Sequence, residues 1–375
     1  MKVEEFVKIL GANFFTGVPD SRLKALCNYL YDTYGTDPKH HIIAANEGNS
    51  VGIAAGYHLA TGKTPVVYLQ NSGEGNIINP VASLLHKKVY AIPVIFVIGW
   101  RGEPGVHDEP QHIFQGEITL KLLDDLEIDH LILDKDSDPD DVIAFIEKNK
   151  DNISSGGSIA FVVREKALKY DSSAEYKNDY QMLREDILKE IVKISARDPI
   201  ISTTGKTSRE LFEIREALGH SHEHDFLTVG SMGHSSSIAL GVALKKPDEK
   251  IWCVDGDGGA LMHLGAMATI GSCAPENLVH IVINNEAHES VGGQPTAAGK
   301  IDLCKIAEGC GYQNVVCIED PEALMRELEK AKKENGLRFI EIKSAIGSRS
   351  DLGRPTTTTI ENKEAFIHHL NEHNK

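Results

Sequence analysis

The sequence predicts an α/β protein built from two doubly wound parallel-sheet domains, with no third domain between them. Short β-branched runs alternate with stretches of helical periodicity, the pattern of strand, helix, strand units. Features of the first half recur in the second at a single offset. Ile53-Ala54-Ala55-Gly56 is matched by Ile238-Ala239-Leu240-Gly241, residues 66–69 by 251–254, and Gly73 by Gly258, each pair 185 positions apart. Apolar periodicity lapses over KYDSSAEYKNDYQ, which places a linker at 169–181 between domains at 1–168 and 182–375.

A chain of 375 residues, 41% hydrophobic and 25% charged, is long enough for two cores. Its formal charge of −16 comes without any lysine or arginine run to offset it, which argues against nucleic acid or an anionic membrane as partner. An anionic substrate therefore needs a local positive pocket. The six cysteines form no CxxC pair and Cys253 falls in an expected buried strand, so reduced thiols in the cytoplasm are the simplest reading. MKVEEFVKIL is an amphipathic helix carrying acids rather than a signal peptide, and no apolar run reaches membrane-spanning length.

In the first half, Val3–Leu10 reads as a helix and 14–18 as a strand ending at Gly17-Val18-Pro19-Asp20, with Ser21 as cap of a helix running through Tyr31. Asp20 thus stands at a strand's carboxyl end. Residues 41–45 form a second strand that ends on Asn46-Glu47-Gly48-Asn49. Glu47 lies between this apolar strand and the small-residue helix 50–60, where a carboxylate is poorly solvated and its pKa is raised. Strand Val66–Gln70, a loop over 71–76, helix 80–86 and strand 92–98 follow. The segment from Gly99 to His112 is long, rich in Gly and Pro and dense in ionisable groups, so it reads as functional. Arg101 stands at the strand's carboxyl end, where its fork suits a carboxylate or phosphonate. His107 and His112 are candidate proton relays, since the unperturbed imidazole titrates near neutrality. Helix 118–126, strand 131–133, helix 138–148 and strand Ile159–Val163 complete the domain. The run DKDSDPDD fails as a calcium loop, because Pro139 and Phe145 occupy the positions that need glycine and glutamate, and reads as an acidic helix start.

In the second half, helix 182–194 leads to strand 200–203 and the turn Thr204-Gly205-Lys206-Thr207-Ser208. Gly-Lys-Thr lacks the earlier glycine of a P-loop, since Ile200 stands there, yet the helix start can still meet an anion. Strand 226–229 ends at Gly230-Ser231-Met232-Gly233-His234. Residues 251–254 and 278–283 are strands around a helix at 259–273, so Asp257 and Asn284/Asn285 emerge on the carboxyl edge where ligands bind in such sheets. One carboxylate, one amide oxygen and a nearby carbonyl form an incomplete all-oxygen shell, which suits Mg²⁺ when phosphates supply the rest. Gly258 and Gly259 let the backbone approach those phosphates, and the following helix offers its first N–H groups. The stretch 286–300 looks mobile and able to close over substrate. Strands 315–318 and 339–343 flank helix 321–335. A nicotinamide site is disfavoured because no Gly-x-Gly-x-x-Gly follows a strand.

Gly256-Asp257-Gly258, then a helix, then a strand closing on Asn284-Asn285, resembles the cofactor motif of thiamine-diphosphate-dependent enzymes. Asn46-Glu47-Gly48-Asn49 resembles the activating-glutamate motif of the same family. The loops starting at Thr16, Asn71, Gly99 and Gly230 extend the resemblance, over nearly the whole chain, to its two-domain 2-oxo acid decarboxylases. The resemblance implies thiamine diphosphate and Mg²⁺ as cofactors, with the ion held by Asp257, the Asn285 side chain and the Ala287 carbonyl. It assigns Gly205, Thr207, Gly258 and Gly259 to the diphosphate, Gly230 and Met232 to the aminopyrimidine, and Glu47 to a proton shared with that ring. Asp20, Arg101 and His112 would act at the substrate, a small anionic 2-oxo acid carrying a phosphonate or, alternatively, a sulfonate. The domains at 1–168 and 182–375 would be pyrimidine-binding and diphosphate-binding, with the site at a subunit interface of a homo-oligomer, in phosphonate biosynthesis.

Overall fold

The computed structural model describes residues 1–171 and 176–371. Part of the expected linker, 172–175, lies outside the described residues. Contacts divide the chain into one unit of Met1–Glu175 with Ser290–Pro295 and another of Tyr176–Glu289 with Thr296–Lys375.

The first unit holds strands β1 (Phe15–Gly17), β2 (His41–Ile43), β3 (Val66–Gln70), β4 (Ile95–Gly99), β5 (Asp129–Leu133) and β6 (Ile159–Val163). They form one parallel sheet in the order β2-β1-β3-β4-β6-β5. Side chains alternate between its two faces. Tyr68, Val97 and Phe161 pack on one side with Phe6, Leu26 and Phe145 of the covering helices. Leu69, Phe96 and Val162 pack on the other with Val51, Ile77 and Leu123. The chain leaves β1 for β2 on one side and returns to β3 on the other, which opens a crevice at the carboxyl ends of β1 and β3, the usual place for a ligand.

The second unit repeats this plan with β7 (Ile200–Ser202), β8 (Asp225–Leu227), β9 (Ile251–Gly256), β10 (Leu278–Asn284), β11 (Asn314–Ile318) and β12 (Arg338–Lys343). Its parallel order, β11-β12-β10-β9-β7-β8, matches the first sheet strand for strand. The 185-residue offset therefore reflects one topology used twice. Trp252, Val254, Ile281 and Ile340 form its core with Ile187, Leu211 and Leu328.

Several local expectations are corrected. Ser21 does not cap the following helix, which runs Lys24–Tyr34. The Asp20 carboxylate instead accepts the N–H groups of Arg22 at 2.9 Å and Leu23 at 3.2 Å. Residues 71–76 are helical rather than a loop, as a 3₁₀ turn Asn71–Gly73 and a helix Glu74–Pro80. Pro80 brings no N–H, and the helix passes into a π turn, Val81–Leu85. The helix expected at 259–273 breaks at His263 into Asp257–Met262 and Gly265–Cys273. The acidic run does start a helix, through a capping box between Asp138 and Asp141. Within the stretch 286–300, Gln294 is fully buried with its Nε2 2.8 Å from Asn28 Oδ1, and the Thr296 N–H donates to the Glu286 carbonyl.

Candidate active site

In the first unit the carboxyl ends of β1 to β4 bring Asp20, Glu47, Asn71 and Arg101 to one edge of the sheet. Glu47 opens the helix Glu47–Thr61, behind an Asn46 cap whose side chain accepts the Asn49 N–H. Its carboxyl is buried, and that burial raises its pKa against the opposing hydrogen bond from Asn76 Nδ2 at 2.7 Å. Gly73 lies directly against it: a β-carbon there would overlap the carboxyl group. The next residue, Glu74, was not singled out by the sequence. It is 1% exposed, burial pushes its pKa up to about 8, and its Oε1 has no hydrogen-bond partner among the described residues.

Asp20 is fully buried. Besides capping, it receives a short hydrogen bond from Gln70 Nε2, and burial raises its pKa. Arg101 follows β4, and its side chain is 19% exposed. Its fork holds Asp108, with Nε 2.8 Å from Oδ2 and Nη2 on Oδ1, while Nη1 reaches Ser21 Oγ at 3.3 Å. The Asn71 carboxamide bonds both backbone groups of Arg101, at 2.8 and 3.0 Å. Burial works against ionisation of Asp108, but the bonds from Arg101 and the N–H groups of Gly102 and Glu109 hold its pKa well below the ordinary value. Arg22 approaches the same carboxylate at 3.5 Å.

His112 differs from expectation. The helix begins at Pro110 and runs to Asp125, so His112 sits in its first turn, 9% exposed. Burial, and then the charge of Arg101, lower its pKa to about 4. The imidazole is neutral at pH 7 rather than poised to titrate there, and its Nδ1 has no hydrogen-bond partner among the described residues. Gly102, at φ 68°, packs so closely on the His112 carbonyl that only glycine fits.

In the second unit the same edge collects the turns after β7, β8, β9 and β10. Asp257 opens the helix after β9, and Asn285 follows β10, the neighbouring strand in register. Asp257 is 4% exposed and burial pushes its pKa up to about 7, with one oxygen taking the Thr296 hydroxyl at 2.5 Å. Asn285 Oδ1 accepts the Ala287 N–H at 3.2 Å, which puts the Ala287 backbone beside it. A desolvated carboxyl, an amide oxygen and a carbonyl on adjacent strand ends form an oxygen donor set that fits Mg²⁺. Gly205 caps the helix Lys206–Ala217, with Thr207 buried in its first turn after β7. Gly230 and half-buried Met232 follow β8. Gly258 and Gly259 lie in the first turn of the helix after β9. Among the described residues no helix is long and apolar enough to cross a membrane.

The family described as "Thiamine pyrophosphate enzyme, N-terminal TPP binding domain" matches residues 3–127, and its C-terminal TPP binding domain matches 203–342. A protein of Streptomyces viridochromogenes named phosphonopyruvate decarboxylase is 34% identical, over 95% of this chain and 91% of its own length. One of the same name from Streptomyces hygroscopicus is 33% identical over 92% and 87%. A sulfopyruvate decarboxylase of Methanosarcina acetivorans is 28% identical over 91% and 90%.

Proposed function

This chain belongs to the thiamine pyrophosphate enzymes as a decarboxylase of that family, and on that premise we propose that it converts 3-phosphonopyruvate to phosphonoacetaldehyde and CO₂. The carrying observation is the likeness to phosphonopyruvate decarboxylases, which extends over 95% and 92% of this chain.

In this reading the C1–C2 bond of the keto acid breaks, CO₂ leaves, and a proton takes its place on the former keto carbon. Bound thiamine diphosphate supplies the electron sink for the departing carboxyl group. Asp257, the Asn285 side chain and the Ala287 carbonyl hold Mg²⁺, and Gly205, Thr207, Gly258 and Gly259 present backbone and hydroxyl groups to the diphosphate. Gly230 and Met232 shape the seat of the aminopyrimidine. Glu47, desolvated and protonated more readily than a surface acid, holds a proton at its carboxyl for exchange with the ring. Arg101 orients the substrate anion, and Asp108 keeps the guanidinium in place. Asp20 and neutral His112 stand near Arg101 as polar groups toward the substrate. The domains 1–168 and 182–375 act as pyrimidine-binding and diphosphate-binding parts of a cytoplasmic homo-oligomer. Exposed Ile113 and Phe114 provide apolar surface for a second copy. The product is an intermediate of phosphonate biosynthesis.

Sulfopyruvate is the second reading, favoured by the Methanosarcina relative; a sulfonate is also a tetrahedral anion. Steady-state CO₂ release from each acid, with and without thiamine diphosphate and Mg²⁺, separates the two. A higher kcat/KM for phosphonopyruvate is expected, and a higher value for the sulfonate overturns the assignment.

A further inference from the structure

We propose that Glu289 is a positioning residue that fixes which end of the Asn285 carboxamide faces the divalent cation. The inference rests on Asn285 being a metal ligand, as read above. A carboxamide has one acceptor end and one donor end, and only the oxygen can ligate Mg²⁺. Asn285 Nδ2 donates to Glu289 Oε2 at 2.8 Å. A carboxylate offers acceptors alone, so it takes the NH₂ end and turns Oδ1 to the opposite side.

Glu289 is itself held from two directions. Arg184 Nη1 lies 2.8 Å from Oε2, and Lys206 Nζ lies 2.8 Å from Oε1. Arg184 is anchored in turn by a two-pronged bond to Glu210, at 2.7 and 2.8 Å. The glutamate side chain is 9% exposed, so these bonds are shielded from water. Lys206 is the first residue of the helix that follows Gly205. One carboxylate thus ties the turn after β7 to the turn after β10, the two arms assigned to the diphosphate and its ion. The ammonium of Lys206 is thereby engaged by Glu289. Outer groups that orient a ligand typically contribute about 10–100-fold to metal affinity.

The test uses Mn²⁺ as probe, its free signal followed by electron paramagnetic resonance, on the full-length protein with thiamine diphosphate present. Glu289→Ala should weaken Mn²⁺ binding about 10–100-fold. Glu289→Gln, whose carbonyl still accepts from Nδ2, should weaken it less. The deciding arm is Asn285→Asp, which sets a carboxylate against Glu289. There, adding Glu289→Gln should tighten Mn²⁺ binding, because the new amide donates to the introduced carboxylate instead of repelling it. The same Gln substitution thus acts with opposite sign in the two backgrounds. A bracing role blind to the amide's two ends gives the same change in both, and that result overturns the proposal, as does Mn²⁺ affinity within about twofold of wild type in folded Glu289→Ala. If Glu289→Ala fails to fold, the Asn285→Asp pair decides. Wild-type protein that binds no Mn²⁺ overturns the ligand assignment, a failure distinct from an unchanged Glu289 variant.

Discussion

Gly73 presses its α-carbon against Glu47 so closely that a single added methyl would overlap the glutamate's carboxyl carbon and its γ-carbon. The glycine therefore sets where the acid sits. Gly73→Ala should move that carboxyl, and displacements near 1 Å at reacting groups cost about 100-fold in rate. The expected result is a kcat lower by about that factor with thiamine diphosphate affinity changed much less. Comparable losses in both would mean that Gly73 serves the fold alone.

Arg101 and Asp108 form the other defined pair at this edge. Arg101→Lys keeps the charge but loses the fork, so KM for the phosphonate acid should rise by about tenfold or more, with kcat less affected. Asp108→Ala removes the acceptor of Arg101, Gly102 and Glu109 together. It should destabilise the protein by about 1–3 kcal/mol and open the segment 100–109 to protease, read from the denaturant midpoint and the cleavage map.

Glu74 predicts a pH dependence of stability. Its folded pKa of about 8 lies above the ordinary glutamate value. As pH rises from that ordinary value toward 8, the unfolded chain gives up the proton while the folded chain keeps it. Stability from this group is complete at low pH and falls through the window by at most about 1.4 kcal/mol per pH unit. Glu74→Gln removes the titration, so its denaturant midpoint should gain on wild type from about pH 4.5 to 8 and run parallel above. A constant difference across that window would show that Glu74 ionises normally.

Much of this arrangement is legible in the sequence. The 185-residue offset anticipated two sheets of one topology, because strand length and spacing are local properties. The neighbouring placement of Asp257 and Asn285 followed from consecutive strands of one β, α, β unit. What escaped depends on packing between distant segments. His112 looked ready to titrate near neutrality, but burial in the helix that starts at Pro110, and then the charge of Arg101, depress it. Asp108 sits seven positions from Arg101 in a stretch without periodicity, so nothing local marks it as the partner. Residues 71–76 looked like a loop for their Gly and Asn, yet they are helical, with Asn71, Gly73 and Glu74 buried. The partner of Glu289, Arg184, lies over one hundred positions earlier, so no local pattern marks the pair.

Arg215 and Asp225 are both fully buried and joined by two bonds of 2.9 Å, with Arg215 Nη1 also on the Ala196 carbonyl at 3.0 Å. Asp225→Ala leaves a buried guanidinium without its counter-ion and should destabilise the chain by about 3–5 kcal/mol. Replacing both residues by apolar ones of similar volume should recover much of that loss. A double variant as unstable as the single one would contradict this account of the pair.

The most direct test is CO₂ release from 3-phosphonopyruvate by wild type and Glu47→Gln, with thiamine diphosphate and Mg²⁺ saturating and cofactor binding measured in parallel. The glutamine keeps size and polarity but cannot exchange the proton. The account predicts cofactor-dependent turnover in wild type, and its loss in the variant by about two orders of magnitude or more while cofactor binding persists. Turnover that survives in Glu47→Gln, or wild-type turnover that needs no thiamine diphosphate, would contradict it.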